Sequence, residues 1–292
     1  MNMKRLNENI FHLYNKWKEG YVRKETALEE KIRPMMKWAK RVFPKDDFDK
    51  MDFDPDGISA KGYISINNSI LTGEIPYPFL ECDVFTIYPS SRIPSLKNCP
   101  KYCNDFDCSS CKLLTSLEGA PEKVYVFQCM ECDSLTSLVG APKKVEKIND
   151  IGKKVFGDFD CNKCKSLHTL EGAPEIVGTF DCSDCPSLTS LEGAPKEVKY
   201  EFDCSGCTSL KNLKGAPEIV GGVFCCSGCT SLTSLEGAPK TVNGDFFCYG
   251  CKKLSSIEDL PKLIEGNLYI DSRFKGKIPD NVTIEGGIEW KK

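Results

Sequence analysis

Over residues 198–204, VKYEFDC, apolar or small side chains alternate with polar ones, so that Val198, Tyr200, Phe202 and Cys204 share one side of the chain. Period two is the mark of a strand with one face turned inward. From Cys207 the spacing changes to threes, through Leu210 and Leu213, which predicts a tight turn of 3₁₀ character followed by a short strand. Gly215 and Pro217 then punctuate the chain, as these residues do at turns. One such circuit has two short extended segments and two corners, and it recurs. Seven Cys-x-x-Cys pairs, Cys108/Cys111, Cys129/Cys132, Cys161/Cys164, Cys182/Cys185, Cys204/Cys207, Cys226/Cys229 and Cys248/Cys251, start at steps of 21, 32, 21, 22, 22 and 22 residues. Residues 223–244, VFCCSGCTSLTSLEGAPKTVNG, show the unit whole: F-x-C-x-x-C-x-x-L-x-x-L-x-G-A-P-x-x-V. A period in this range predicts a solenoid, in which each unit buries its apolar side only by stacking on its neighbours. The predicted fold is a leucine-rich-repeat-like solenoid of short β-strands and turns, with 21–22-residue repeats and an α-helical element at its N-terminus. With stacked strands ~4.8 Å apart, roughly nine coils make a rod about 40 Å long, filled by ladders of Phe, Cys, Leu and Val.

Cys-x-x-Leu-x-x-Leu followed by Pro and Val resembles the short leucine-rich repeats called treponemal or BspA-like. It is most similar to a cysteine-rich version found in proteins of large tailed bacteriophages, whose unit reads much like FDCSGCTSLTSLEGAPKEVGG. Residues 202–222 and 224–244 nearly reproduce it, and DPDGISAKGYISI at residues 54–66 echoes the first strand of those proteins. The resemblance covers about residues 54–290. It implies a leucine-rich solenoid with a binding role and no catalytic residues, and it is the only ground for expecting a phage or prophage origin.

The two ends depart from the array. Residues 1–45 carry twelve Lys/Arg and five Glu, a net +7, which leaves −10 on the remainder of a chain of net −3. Leu6, Ile10, Leu13 and Trp17 predict one amphipathic helix, and Leu28, Ile32, Met36, Ala39 and Phe43 a second, with Pro34 either kinking it or marking its start. This basic pair is expected to cap the first coil, or, through Trp17 and Trp38, to touch nucleic acid or an acidic protein. Residues 46–57 read as an acidic linker, and 58–292 as the solenoid with degenerate cap coils. DFDPDG in the linker imitates the start of a calcium loop, but Tyr63 stands where the bidentate Glu would be, so a turn is the expectation. Residues 266–290 keep the strand alternation without the cysteines, as a terminal cap does.

Eighteen cysteines and an N-terminus, MNMKRLNENIF, without an apolar export segment predict reduced thiols and a cytoplasmic location. Cys-x-x-Cys is also a zinc half-site. Seven pairs is an odd number, however, and the second cysteine opens the leucine register, so the pairs read as apolar ladders, with no metal and no cofactor. Cys225 takes a position held by Asp107, Asp160, Asp181 and Asp203 in other coils; it should face outward and be the most reactive thiol. The two histidines, His12 and His168, lie beside no nucleophile and in no ligand spacing, and no phosphate loop, nucleophile elbow or dinucleotide fingerprint occurs. Catalysis is therefore not expected.

Function falls to the surface. The residue after the second leucine forms a row of its own: Glu118, Val139, Glu171, Glu192, Lys214, Glu236 and Glu258. Stacked like charges repel, so five carboxylates in one row mark a candidate binding face, with Lys214 relieving part of the repulsion. The residue after the repeat proline alternates in sign, Glu122, Lys143, Glu175, Lys196, Glu218 and Lys240, which predicts ion pairs between coils. The one long step falls at residues 143–157, KKVEKINDIGKKVFG, where Lys143, Lys144, Lys147, Lys153 and Lys154 form a second candidate binding site on an excursion from the coil. The expected function is a non-catalytic protein-binding module, with a host protein, including a defence component, as its target if phage-encoded. Nucleic-acid binding through the basic helices and a structural place in a virion are the alternatives.

Overall fold

Inward-facing phenylalanines set the first side of each coil. In the computed structural model, which describes residues 27–66, 73–88 and 92–292, the chain winds through about eleven turns at roughly 21-residue spacing. Short parallel strands stack in register, so that Phe85, Phe106, Phe127, Phe159, Phe180, Phe202, Phe224 and Phe246 lie one above the next, continued by Leu268 and Ile288. The phenyl rings stack with centroids 5.1–5.7 Å apart and planes within 5–19° of parallel. The coil count exceeds the nine read from the repeat because coils without a Cys-x-x-Cys pair complete both ends.

A second ladder follows the repeat proline: Val177, Val198, Val220, Val242, Ile264 and Ile284 pair in parallel from coil to coil. Between these two ladders the leucine segment closes the circuit. Its spacing in threes does give tight turns, with Leu210 N–H donating to the Cys207 carbonyl at 3.1 Å and Leu232 N–H to Cys229 at 2.9 Å. The short strand expected after it does not form; single bonds link successive coils there, as from Leu213 N–H to the Glu236 carbonyl at 2.8 Å. The second extended segment is the valine strand instead. Both cysteines, both leucines, the phenylalanine and the valine of each regular coil are fully buried, which makes one continuous interior.

At the N-terminal end helix Ala27–Val42 covers this interior. Ile32, Met35, Trp38, Ala39 and Val42 are buried on one face, and Trp38 meets Phe43, Tyr77 and Phe79 edge-on at centroid distances of 5.7, 5.7 and 6.3 Å. Pro34 lies inside the helix rather than at its start. The helix predicted from Leu6 to Trp17, and His12 with it, lies outside the described residues. The acidic stretch 46–57 is not a plain linker. It holds a short helix, Lys45–Phe48, and the strand Met51–Asp54, which pairs antiparallel with Gly57–Ala60 around the DFDPDG turn. Met51 and Phe53 alternate inward there, an apolar signal that the surrounding aspartates mask.

Candidate interaction surfaces

The cysteines are committed to the interior in a specific way. In six of the seven pairs the second cysteine donates its thiol hydrogen to the carbonyl of the first cysteine in the preceding coil. Cys132 reaches Cys108 at 3.3 Å, Cys164 reaches Cys129 at 3.2 Å, and Cys207, Cys229 and Cys251 reach Cys182, Cys204 and Cys226, each at 3.2 Å. The carbonyl concerned is buried in an apolar core, where an unpaired acceptor is costly. A residue that is small, apolar and a weak donor fits that place, and cysteine is all three. Burial pushes the Cys161, Cys226 and Cys248 thiols well above the ordinary range. Among the described residues no three His, Cys, Asp or Glu side chains are grouped to hold a metal ion.

Cys225 does face outward between Asp203 and Phe247 on the stacked strands. Its thiol, however, is pushed up to about 11, first by burial and then by the neighbouring Asp203 carboxylate. That shift disfavours its thiolate near neutrality.

The row after the second leucine is built as read. Glu118, Val139, Glu171, Glu192, Lys214, Glu236 and Glu258 are all exposed, on successive coils. Lys214 bonds Glu236 at 2.9 Å, so one repulsive contact is already relieved within the protein. The alternating row after the proline forms ion pairs, Lys196–Glu175 at 2.6 Å and Lys240–Glu218 at 2.9 Å, and Lys196 holds the Glu175 carboxyl below its ordinary value.

The lysine-rich excursion is an antiparallel hairpin. Strand Lys144–Ile148 continues the valine ladder through Val145, which pairs with Val124, and then leaves the rod; strand Lys154–Phe156 returns along it. On its return the chain slips between coils: Gly157 N–H donates to the Val145 carbonyl and Gly178 N–H to the Gly157 carbonyl. A Cβ at Gly157 would stand 1.7 Å from the Tyr125 carbonyl oxygen, so only glycine permits this approach. Lysines pin the base: Lys147 Nζ sits 3.8 Å over the Tyr125 ring, Lys154 bonds Glu146 at 2.8 Å, and Lys199 from a later coil lies 5.2 Å over Phe156. Lys143, Lys144 and Lys153 are exposed, and so are Ile148 and Ile151 at the tip.

A third surface had no assigned role in the sequence. Asp107, Gln128, Asp160, Asp181, Asp203 and Cys225 align on the outer side of the sheet, with Asp105, Asp158 and Glu201 in the parallel row two residues before. Each of four aspartates accepts a backbone N–H two residues on, at Ser109, Asn162, Ser183 and Ser205, over 2.7–3.0 Å. They fix the turn that brings in the second cysteine. Burial pushes the Asp160 carboxyl up to about 6; the Asn162 N–H opposes this and the Asp181 carboxylate adds to it. Asp203 and Glu201 are raised as well, again chiefly by burial. The alternation Phe-Asp-Cys, repeated in register, was the signal for this face.

An open cleft of about 400 Å³ lies between Lys112, Asp133, Lys165 and Asp184. The Asp133 carboxylate bridges Lys112 and Lys165, both at 3.1 Å, so the charges there are spent on one another. His168 is exposed with its Nδ1 3.3 Å from the Ser166 carbonyl. No helix among the described residues is long and apolar enough to cross a membrane. Compared with protein-family models, curated proteins and solved structures, the chain matches none.

Proposed function

We propose that this chain is a non-catalytic protein-binding module, a rigid rod that presents charged rows and one projecting hairpin to a protein partner. The observation that carries the reading is the division of labour between inside and outside. The repeated Phe, Cys, Leu and Val of the regular coils are spent in the ladders, while residue identity varies mainly on the surface. Nothing described brings a nucleophile, base and acid together, which favours binding over turnover. The repeat's resemblance to those of large tailed phages supports a phage-encoded protein that sequesters or blocks a host protein, a defence component included.

Nucleic-acid binding through the basic helix is the weaker reading, on a specific observation. Trp38 is 8% exposed and enclosed by Phe43, Tyr77 and Phe79, so it offers no face for a base to stack on. The two readings part in one experiment. The intact tagged protein is used to capture partners from host lysate, beside a Glu192→Lys/Glu236→Lys variant, and is separately titrated with duplex DNA at physiological salt. We expect no duplex binding and a partner whose recovery falls roughly tenfold on charge reversal. Tight, salt-dependent DNA binding lost in a Lys37→Glu/Lys40→Glu/Arg41→Glu variant would replace the protein-binding reading. Unchanged recovery by the reversed row would leave that row as solvated surface.

A further inference from the structure

The hairpin at residues 144–156 contributes nothing to the core that the other coils lack. None of residues 146–156 is buried, and elsewhere the chain passes from the ladder valine directly into the corner, as from Val177 to Gly178. Yet its shape is fixed. Ile148 pairs with Lys154 and Glu146 with Phe156. The turn is closed by the Asn149 side chain, whose Oδ1 accepts the N–H groups of Ile151 at 3.2 Å and Lys153 at 2.9 Å. Gly152, at φ +74°, completes it. A loop that served only as a spacer would need neither the ladder nor the side-chain clasp.

What this clasp presents is apolar. Ile148 and Ile151 are 57% and 74% exposed, higher than any other large apolar side chain among the described residues. Water is a poor environment for such a pair, and an exposed apolar patch rimmed by charge marks an interaction site. The rim is basic: residues 143–157 hold five lysines against Glu146 and Asp150, a net +3 on a chain of net −3. Lys147 and Lys154 are occupied in fastening the base to Tyr125 and Glu146, which leaves Lys143, Lys144 and Lys153 facing outward.

Resting on the protein-binding reading above, we propose that this hairpin is a docking arm that inserts Ile148 and Ile151 into an apolar recess, rimmed by carboxylates, on a folded protein partner. A convex tip buries its side chains in a concave receiver, and the exposed lysines behind it match acidic rim residues. A second copy of this chain fits less well: among the described residues the cleft at Asp133 is lined by charges that already pair, and the one of about 570 Å³ beside Pro195, Pro217 and Ile219 has its carboxylates, Glu197 and Glu218, already held by Lys199 and Lys240. An anionic lipid surface suits the tip less well, because Asp150 is exposed between the two isoleucines and would enter the headgroup layer with them.

The test uses the full chain with a photo-crosslinking p-benzoylphenylalanine at position 151, irradiated in lysate of the cells in which the protein is made. A second form carries the crosslinker at position 192. Crosslinked peptides are sequenced, and the captured protein is purified and titrated. We expect position 151 to label one protein, at a segment flanked by Asp or Glu. Its affinity should fall at least roughly tenfold for Ile148→Ser/Ile151→Ser and for Lys143→Glu/Lys144→Glu/Lys153→Glu, at unchanged melting temperature. Labels scattered over abundant proteins, labels on a second copy, or equal affinity for the tip variant would overturn the inference. So would sedimentation of the wild type, but not the tip variant, with phosphatidylserine–phosphatidylcholine vesicles. If position 192 labels a partner and position 151 none, the protein-binding reading stands and the docking arm falls; if neither labels, both fall.

Discussion

The second cysteine of a regular coil is a hydrogen-bond donor that passes as a hydrophobe. Cys207 Sγ lies 3.2 Å from the Cys182 carbonyl, and both are enclosed by the phenylalanine and leucine ladders. Replacing it by valine keeps the apolar volume and removes the donor, which should cost about 1–3 kcal/mol because the carbonyl is left unpaired. Cys207→Ser keeps a donor and should cost less than Cys207→Val. Urea midpoints of the two variants decide it; a valine variant as stable as wild type would mean that volume alone selects cysteine. The stacked aspartates give a second residue-scale test. Asp160 has its carboxyl raised to about 6 from 3.8, so the folded chain holds a proton that the unfolded chain has released between those values. Stability from this group is therefore fully present below the unfolded value and is lost as pH rises through about 6. Asp160→Asn keeps the oxygen that accepts the Asn162 N–H and deletes the charge. Relative to wild type it should melt higher at neutral pH, and the difference should vanish below the unfolded value; a difference independent of pH would locate its effect outside the charge.

Among elements, legibility followed repetition. The phenylalanine strand, the cysteine pair and the leucine turn were plain in the chain because each recurs at a fixed step, and the structure stacks them in register. The strand at Met51–Asp54 was not, since its two inward residues stand among four acidic neighbours and it occurs once. The end of the leucine segment is ambiguous in sequence for a different reason. Spacing in threes marks the tight turn, and whether a strand follows it depends on coil-to-coil backbone bonding, which is invisible in sequence. The excursion at residues 143–157 was legible as an insertion and as basic, while its hairpin depended on Asn149 and Gly152 closing the turn. The N-terminal helix shows what such single elements do for the array. Trp38→Ala removes the ring that Phe43, Tyr77 and Phe79 pack against, and should cost about 3–5 kcal/mol. Hydrogen exchange should rise first in the coils nearest the helix, around Ile64 and Phe85, and only later around Phe224. Uniform loss of protection along the rod would mean that the helix does not act as a cap.

At the scale of the whole molecule, the rod has few ways to share energy except between neighbours. Each leucine touches its equivalents one coil above and one below, so stability approximates a sum over coils and the interfaces between them. The long step at residues 129–161 does not interrupt the phenylalanine stack: Phe127 and Phe159 remain 5.1 Å apart, and only the valine ladder is parted, between Val145 and Val177. The hairpin thus leaves the interior continuous, which is what allows a partner-binding projection to be added without dividing the fold. Two double mutants test this nearest-neighbour account. Leu213→Ala and Leu235→Ala empty adjoining places in one ladder, and each alone should cost about 2–5 kcal/mol. Together they open a single joint cavity that the chain can partly close, so the double mutant should lose less than the sum by about 0.5 kcal/mol or more. Leu114→Ala combined with Leu235→Ala empties places five coils apart, across the hairpin, and the two losses should add. Equal coupling in both pairs, measured by urea unfolding, would show that strain travels the length of the rod and that the coils do not act as a one-dimensional array.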